Sequence, residues 1–166
     1  MRCGLGRTGE AEILTPDLHL VLVHPEIPPN TGNVGRLAVG VEVALHVVHP
    51  IGFSMDEKQV RRAGLDYWPH VDLREHEDLE AFMQWAEGRR LHLFSKRGSA
   101  PYTRCPFQPG DVLVFGKEST GLPRDWVERE GAWTIPMTGR TRSLNLSNAV
   151  AVVTYQALQH LRPELF

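Results

Sequence analysis

Asn30 and Arg36 stand six positions apart in "NTGNVGR", Gly116, Glu118 and Gly121 recur in "FGKESTGLP", and Arg142, Ser143, Asn145 and Asn148 crowd into "IPMTGRTRSLNLSNAV". Arginine supplies a cation with a planar fork of donors that suits phosphate or carboxylate. Asparagine and serine add neutral hydrogen bonds, and glycine lets backbone come close to a ligand. Taken singly, each residue has a structural explanation: Asn30 turns the chain, the two glycines permit tight backbone, Arg36 lies on a helix surface and Glu118 is solvated. Residues 135–158 resist that explanation. The first four N–H groups of a helix need partners, and Ser143, Asn145 or Ser147 could each serve as a cap. One helix needs one cap, so the remaining polar residues call for a ligand.

Other chemistries fit the chain poorly. "GNVG" has only G-x-x-G after a proline-rich loop, whereas a dinucleotide site wants G-x-G-x-x-G directly after a strand. "GKESTG" has the glycine spacing of a phosphate loop, yet Leu122 and Pro123 stand where Lys and Ser or Thr are needed. A G-x-x-G loop also clamps RNA in KH modules, where it lies between two helices. His46 and His49, three apart on a strand, point to opposite faces and do not chelate one ion together. Cys105 in "RCPF" has no recognisable base nearby in sequence.

The elements that must position these residues alternate between strand and helix. "LHLVLVH" (18–24) is a strand broken by "PEIPPNTGN", after which Val34, Leu37, Ala38 and Val41 mark a helix from Asn33. "VALHVVH" (43–49) is the next strand; "SMDEKQVRRAGL" and "EDLEAFMQWAEG" are helices ended by Gly64 and Gly88. "LHLFS" (91–95) and "DVLVFG" (111–116) suit buried strands, "PRDWVERE" a short helix begun by Pro123, "AWTIPM" a last strand, and 144–162 the final helix. The pattern predicts an α/β fold, a mostly parallel sheet covered by helices on both faces. In such sheets ligands gather beyond the carboxyl ends of the strands. "HPEIPPNTGNVGR", "SKRGSAPYTR", "FGKESTGLP" and "IPMTGRTRSLN" all fall there and define one site.

The 166 residues suit a single domain, here 17–166, with "MRCGLGRTGEAEILTP" (1–16) a flexible extension lacking the apolar run of a signal peptide. Eighteen Lys+Arg against 20 Asp+Glu give a net charge of −2, so any nucleic acid must be bound locally rather than by an overall field. "DLREHEDLE" is acidic, while Arg36, Lys58, Arg61, Arg62, Lys96, Arg97, Arg104, Arg140 and Arg142 fall in or beside loops and permit a basic patch. Two cysteines, Cys3 and Cys105, suit a reducing cytoplasm, and no apolar run reaches membrane-span length.

The three ordered motifs "NTGNVGR", "FGKESTGLP" and "IPMTGRTRSLNLSNAV" resemble the SpoU-like branch of the SPOUT methyltransferases. Within it, "PEIPPNTGNVGRL" and "RRAGLDYW" are similar to the TrmL-type tRNA wobble-nucleotide ribose methyltransferases, over a stretch from Leu18 to the C-terminus. The resemblance implies a C-terminal deep trefoil knot, a homodimer, and S-adenosyl-L-methionine as methyl donor with S-adenosyl-L-homocysteine as product. It implies 2′-O-methylation of the ribose at position 34, cytidine or modified uridine, within a tRNA anticodon stem-loop, without metal and away from any membrane. The implied catalytic residues are Arg36, Asn30, Ser143 and Asn145, with Asn30 holding Arg36 or meeting the RNA. The implied cofactor contacts are Phe94, Ser95, Gly116, Glu118, Gly121, Ile135, Met137, Ser143 and Leu144. Arg36, Arg140, Arg142, Arg61 and Arg62 are the RNA-binding candidates, and Tyr155 either closes the dimer or bonds in the core. Another tRNA or rRNA site, a non-catalytic RNA-binding module and a nicotinamide-dependent oxidoreductase are the competing readings.

Overall fold

The computed structural model describes residues 17–55 and 66–166. The extension over 1–16 lies outside the described residues, as do Lys58, Arg61, Arg62 and most of the helix expected over "SMDEKQVRRAGL".

Three strands carry the centre. β1 (Leu18–Val23), β2 (Ala44–Val48) and β6 (Asp111–Phe115) are buried along their whole length. Their near-continuous apolar, β-branched sequence is what a parallel strand covered on both faces requires. With β3 (Leu73–His76), β4 (Leu91–Phe94), β5 (Ala100–Pro101) and β7 (Trp133–Thr134) they form a seven-stranded sheet in the order β3-β2-β1-β6-β4-β7-β5, every pairing parallel.

Alternation along the strands sends side chains to two cores. Leu18, Leu20 and Leu22 meet α1 (Pro28–Val41) and α4 (Leu146–Leu161) through Val34, Ala38, Val150, Val153 and Ala157. Val21 and Val23 meet α2 (Leu79–Trp85) and α3 (Arg124–Glu130) through Phe82, Trp126 and Val127. Arg162, at the end of α4, ties the ends of the domain together. Its guanidinium donates to both Asp17 oxygens at 2.8 and 2.6 Å and to the carbonyls of Val41 and Glu42 that close α1.

Some boundaries differ from the sequence reading. α1 starts at Pro28 rather than Asn33, so Asn30 lies inside the helix and not in a turn. Proline lacks an N–H that the first helical turn would leave unpaired anyway, so "IPPN" starts the helix instead of breaking the chain. The last strand shrinks from "AWTIPM" to Trp133–Thr134. β3 and β5 carry no apolar run; they form by pairing with β2 and β7 at the two edges. β7 enters between β4 and β5, which precede it and are themselves joined by residues 95–99. The Ser95 amide donates to the Trp133 carbonyl at 2.9 Å, and Ser99 donates to Ala132 at 3.2 Å. A Cβ on Gly98 would come within 2.5 Å of the Trp133 carbonyl carbon, so glycine is required where this connection crosses β7.

The second core holds a histidine ladder. His46 is fully buried, with Nδ1 2.8 Å from Nε2 of His76 and Nε2 3.1 Å from Nδ1 of His19. Trp85 packs beside it with ring centres 4.2 Å apart. Burial above all, then the neighbouring histidines, pushes His46 down to about 2, and burial with Arg74 and Arg89 takes His19 down to about 4. The rings are therefore neutral at neutral pH and bond one another as donor and acceptor.

The unfolded chain takes up these protons near pH 6.5 and the folded chain does not, so folding stability is full above that value and declines as pH falls toward 4. Urea unfolding should show a loss on the order of 2–4 kcal/mol between pH 7.5 and 5. Replacing the His19–His46 pair by apolar residues should flatten that dependence.

Candidate active site

The carboxyl ends of β4, β6 and β7 and the starts of α1 and α4 surround a cleft of about 260 Å³. Ile27, Phe94, Phe115, Ile135, Leu144 and Leu146 supply apolar walls; Asn30, Ser95, Thr134, Ser143 and Asn145 supply polar groups. The four loops expected to make one site do meet here. Gly116, Glu118, Gly121 and Arg142 also line the cleft; Arg36, Met137 and Arg140 do not.

The loop after β6 owes its shape to its glycines. A Cβ at Gly116 would fall 2.1 Å from the Gly121 carbonyl carbon and the Leu122 nitrogen, and Gly121 itself has φ +75°. The Gly121 amide donates to the Lys117 carbonyl at 2.8 Å and closes the turn. Both glycines are thus required by the loop's own backbone, and Leu122 is buried beneath it.

That turn presents Glu118 to the start of α1. Its carboxylate accepts from the amides of Glu26 at 2.8 Å and Ile27 at 3.2 Å and from Asn30 Nδ2 at 2.9 Å. Ile27 is the N-cap of α1 and has no side-chain cap of its own, and the first turn holds no acidic residue. The missing anion at the positive end of the helix arrives from a loop 91 residues away in sequence. Glu26 returns the contact by accepting from the amide and hydroxyl of Ser119, both at 2.9 Å, bonds that hold its carboxyl below the usual range.

Asn30, 4% exposed, carries the connection onward. Its Oδ1 accepts from Asn145 Nδ2 at 2.9 Å, and Asn145 Oδ1 accepts from the Ser147 amide at 2.9 Å and hydroxyl at 2.7 Å, capping α4. Of the three cap candidates, Asn145 does the capping. Ser147, Asn145, Asn30 and Glu118 therefore form one hydrogen-bonded line that joins the start of α4, the first turn of α1 and the loop after β6. Both polar atoms of Asn30 are engaged in it, and no hydrogen bond joins Asn30 to Arg36 among the described residues. Arg36 is exposed on α1, its guanidinium carbon 5.7 Å from the centre of the Tyr67 ring.

Charge gives the cleft a preference. Lys96, Arg97, Lys117 and Arg142 line it against one carboxylate, Glu118, which already accepts three donors. An anionic group suits such a lining. Lys117, Ile27 and Thr134 were not singled out from the sequence, and Gly98 and the Glu26–Ser119 contact carried no signal there. Cys105 is buried and its thiol is pushed up to about 12, chiefly by burial, which leaves it unreactive. His49, at the end of β2, pairs with Glu75 at 2.8 Å. Among the described residues no group of three or more His, Cys, Asp or Glu is arranged to hold a metal ion.

The model of the SpoU rRNA Methylase family matches residues 17–155. The chain belongs to the SpoU rRNA Methylase family. A tRNA (cytidine(34)-2′-O)-methyltransferase of Methylovorus glucosotrophus is 47% identical over 141 residues, covering 83% of this chain and 92% of the relative. The protein of that name in Escherichia coli K12 is 43% identical over 147 residues, covering 87% and 94%. A solved structure described as giving insights into the 2-OH methylation of C/U34 on tRNA aligns with TM-score 0.81 at 47% identity, over 87% of this chain and 96% of that one. The SpoU methyltransferase AviRb of Streptomyces viridochromogenes, in complex with AdoMet, aligns with TM-score 0.74 over 87% of this chain and 58% of that one; at 24% identity it shows the shared fold.

In this SpoU family member the line of hydrogen bonds is testable by its ends and its middle. Asn30→Ala leaves Glu118 and Asn145 each short of a partner and should cost about 1–3 kcal/mol in urea unfolding. Glu118→Gln turns an amide NH₂ toward donors and should cost a similar amount, whereas Glu26→Gln, at the exposed rim, should leave the unfolding midpoint nearly unchanged.

Proposed function

We propose that this protein uses S-adenosyl-L-methionine to methylate the ribose 2′-hydroxyl of the wobble nucleotide, position 34, of tRNA. The observation that carries the reading is the cleft itself: the first turn of α1 bearing Asn30, the loop bearing Glu118 and the cap of α4 at Asn145 are bonded into one wall, beside apolar surface and a cationic rim. The lining fits the cofactor. Phe94, Phe115, Ile135 and Leu144 offer apolar surface to the adenosine, with backbone edges at Ser95, Gly116 and Ile135. Lys96, Arg97, Lys117 and Arg142 suit the carboxylate of the methionyl end or a nearby RNA phosphate. When bound, the cofactor supplies an electrophilic methyl group on a sulfonium whose thioether leaves readily.

The chain's own contribution is placement and the handling of one proton. Guanidinium groups stay protonated in proteins, so Arg36 acts as a cation and not as a general base. It binds the target phosphate or the developing alkoxide, while a phosphate oxygen or water accepts the proton. Ser143 meets the cofactor, Arg142 and Arg140 meet RNA phosphates, and Asn30 and Asn145 hold the wall in place. Met137, two residues beyond the cleft-lining Ile135, does not itself line the cleft.

The protein acts as a single domain from Asp17 onward, in the cytoplasm, on an anticodon stem-loop. A C-terminal deep trefoil knot is compatible with the order β4-β7-β5, in which a later strand lies between two that residues 95–99 join. A homodimer is supported by exposed apolar residues near the end of the chain: Val152, Tyr155, Leu165 and Phe166, with the Tyr155 and Phe166 rings edge to face at 6.3 Å. With a net charge of −2, the RNA needs a groove built from both subunits.

Labelled methyl should pass from the cofactor to total tRNA, and nuclease mapping should find it on the ribose of nucleotide 34; label at another tRNA or rRNA position would replace this substrate with the alternative one. Arg36→Ala should lower turnover on the order of a hundredfold, and Arg36→Lys at least tenfold because it lacks the fork, with S-adenosyl-L-homocysteine affinity within about twofold by calorimetry. Tyr155→Glu should give a monomer by sedimentation with turnover reduced at least about tenfold; a monomer of normal activity would overturn the shared groove.

A further inference from the structure

We propose that Tyr67 is a positioning residue that holds the Arg36 guanidinium in its working orientation, an inference that rests on the function proposed above. Arg36 is exposed and makes no ion pair or side-chain hydrogen bond among the described residues; its one recorded contact is the face of the Tyr67 ring, 5.7 Å from the guanidinium carbon. A long side chain on a helix surface samples many rotamers, and ordering it for a reaction carries an entropic cost. A cation laid on an aromatic face is restrained without using any of its N–H donors. The fork then stays free for phosphate or alkoxide oxygens, which a carboxylate partner would not allow.

Tyr67 can do this because it is itself held. Its hydroxyl donates to the Gly32 carbonyl at 2.8 Å, the carbonyl one helical turn before Arg36. Burial raises the Tyr67 phenol above its usual range, so the hydroxyl remains a donor. The next residue, Trp68, is buried against α1 at Gly35, where a Cβ would meet the indole ring at 2.5 Å. Gly32, Gly35 and Arg36 thus form a seat into which the Tyr67–Trp68 turn fits, with Gly35 small because Trp68 lies on it. This gives a role to Tyr67 and Trp68, the end of "RRAGLDYW", neither of which lines the cleft.

The test compares Tyr67→Phe, Tyr67→Leu, and Tyr67→Leu combined with Arg36→Ala. Loss of the aromatic face in Tyr67→Leu should lower turnover about five- to thirtyfold at saturating cofactor and tRNA, while S-adenosyl-L-homocysteine affinity stays close to wild type and the fall in thermal midpoint from the lost hydroxyl bond is shared by Tyr67→Phe. Tyr67→Phe keeps the face and should stay within about threefold. In the Arg36→Ala background the leucine change should have no further effect, since there is no guanidinium left to hold. Independently of activity, NMR of the wild type should show the Arg36 side-chain NεH and δ protons shifted by the Tyr67 ring current, and Tyr67→Leu should abolish the shift. Absence of that shift in the wild type, equal losses in both backgrounds, or full activity in Tyr67→Leu would overturn the proposal, and the wild-type spectrum decides even if the leucine variant fails to fold. A wild type that shows the ring-current shift but methylates no RNA would instead overturn the function on which the proposal rests.

Discussion

The cleft exists because Asn30 can bond in two directions at once. Its amide nitrogen gives to Glu118 and its amide oxygen receives from Asn145, so the first helix, the loop after β6 and the cap of the last helix share one side chain. Buried amides are costly unless both ends are partnered, and here the two partners come from segments 88 and 115 residues away. Glu118 serves at the same time as the missing anion at the start of α1. Local helix chemistry and long-range assembly are therefore met by the same few atoms, and neither can change without the other.

Much of this was legible from residue order. Strands 18–23, 44–48 and 111–115 announce themselves because parallel strands buried on both faces read as near-continuous apolar runs. Glycines at 116 and 121 mark a loop whose backbone folds against itself. Illegible were the features that only pairing creates: β3 is polar and half exposed, β5 is two residues long, and both exist because a neighbouring edge offers free hydrogen-bonding groups. The start of α1 was hidden by prolines that read as breakers and act as a first turn. Arg36 shares a motif with Asn30, yet a helix turns residues six apart to different sides, and only Asn30 reaches the cleft.

The second core shows a different solution to polar burial. His19, His46 and His76 stand on neighbouring strands where apolar residues would be the default, and they are tolerated because neutral imidazoles are donor and acceptor together. The ladder also joins β1, β2 and the weak edge strand β3 by side chains as well as backbone. A strand of "LREH", with little apolar surface of its own, gains from that link.

The insertion of β7 bears on how the protein is made. As the chain leaves the ribosome, β4, its short connection and β5 emerge well before Trp133, so β5 has no strand partner until β7 is made and pairs beside β4. Asn145 and Ser147, which finish the cleft, come later still. Such late, distant pairing is slow to form and leaves apolar edges uncovered meanwhile. The cleft is therefore incomplete until the final helix has docked.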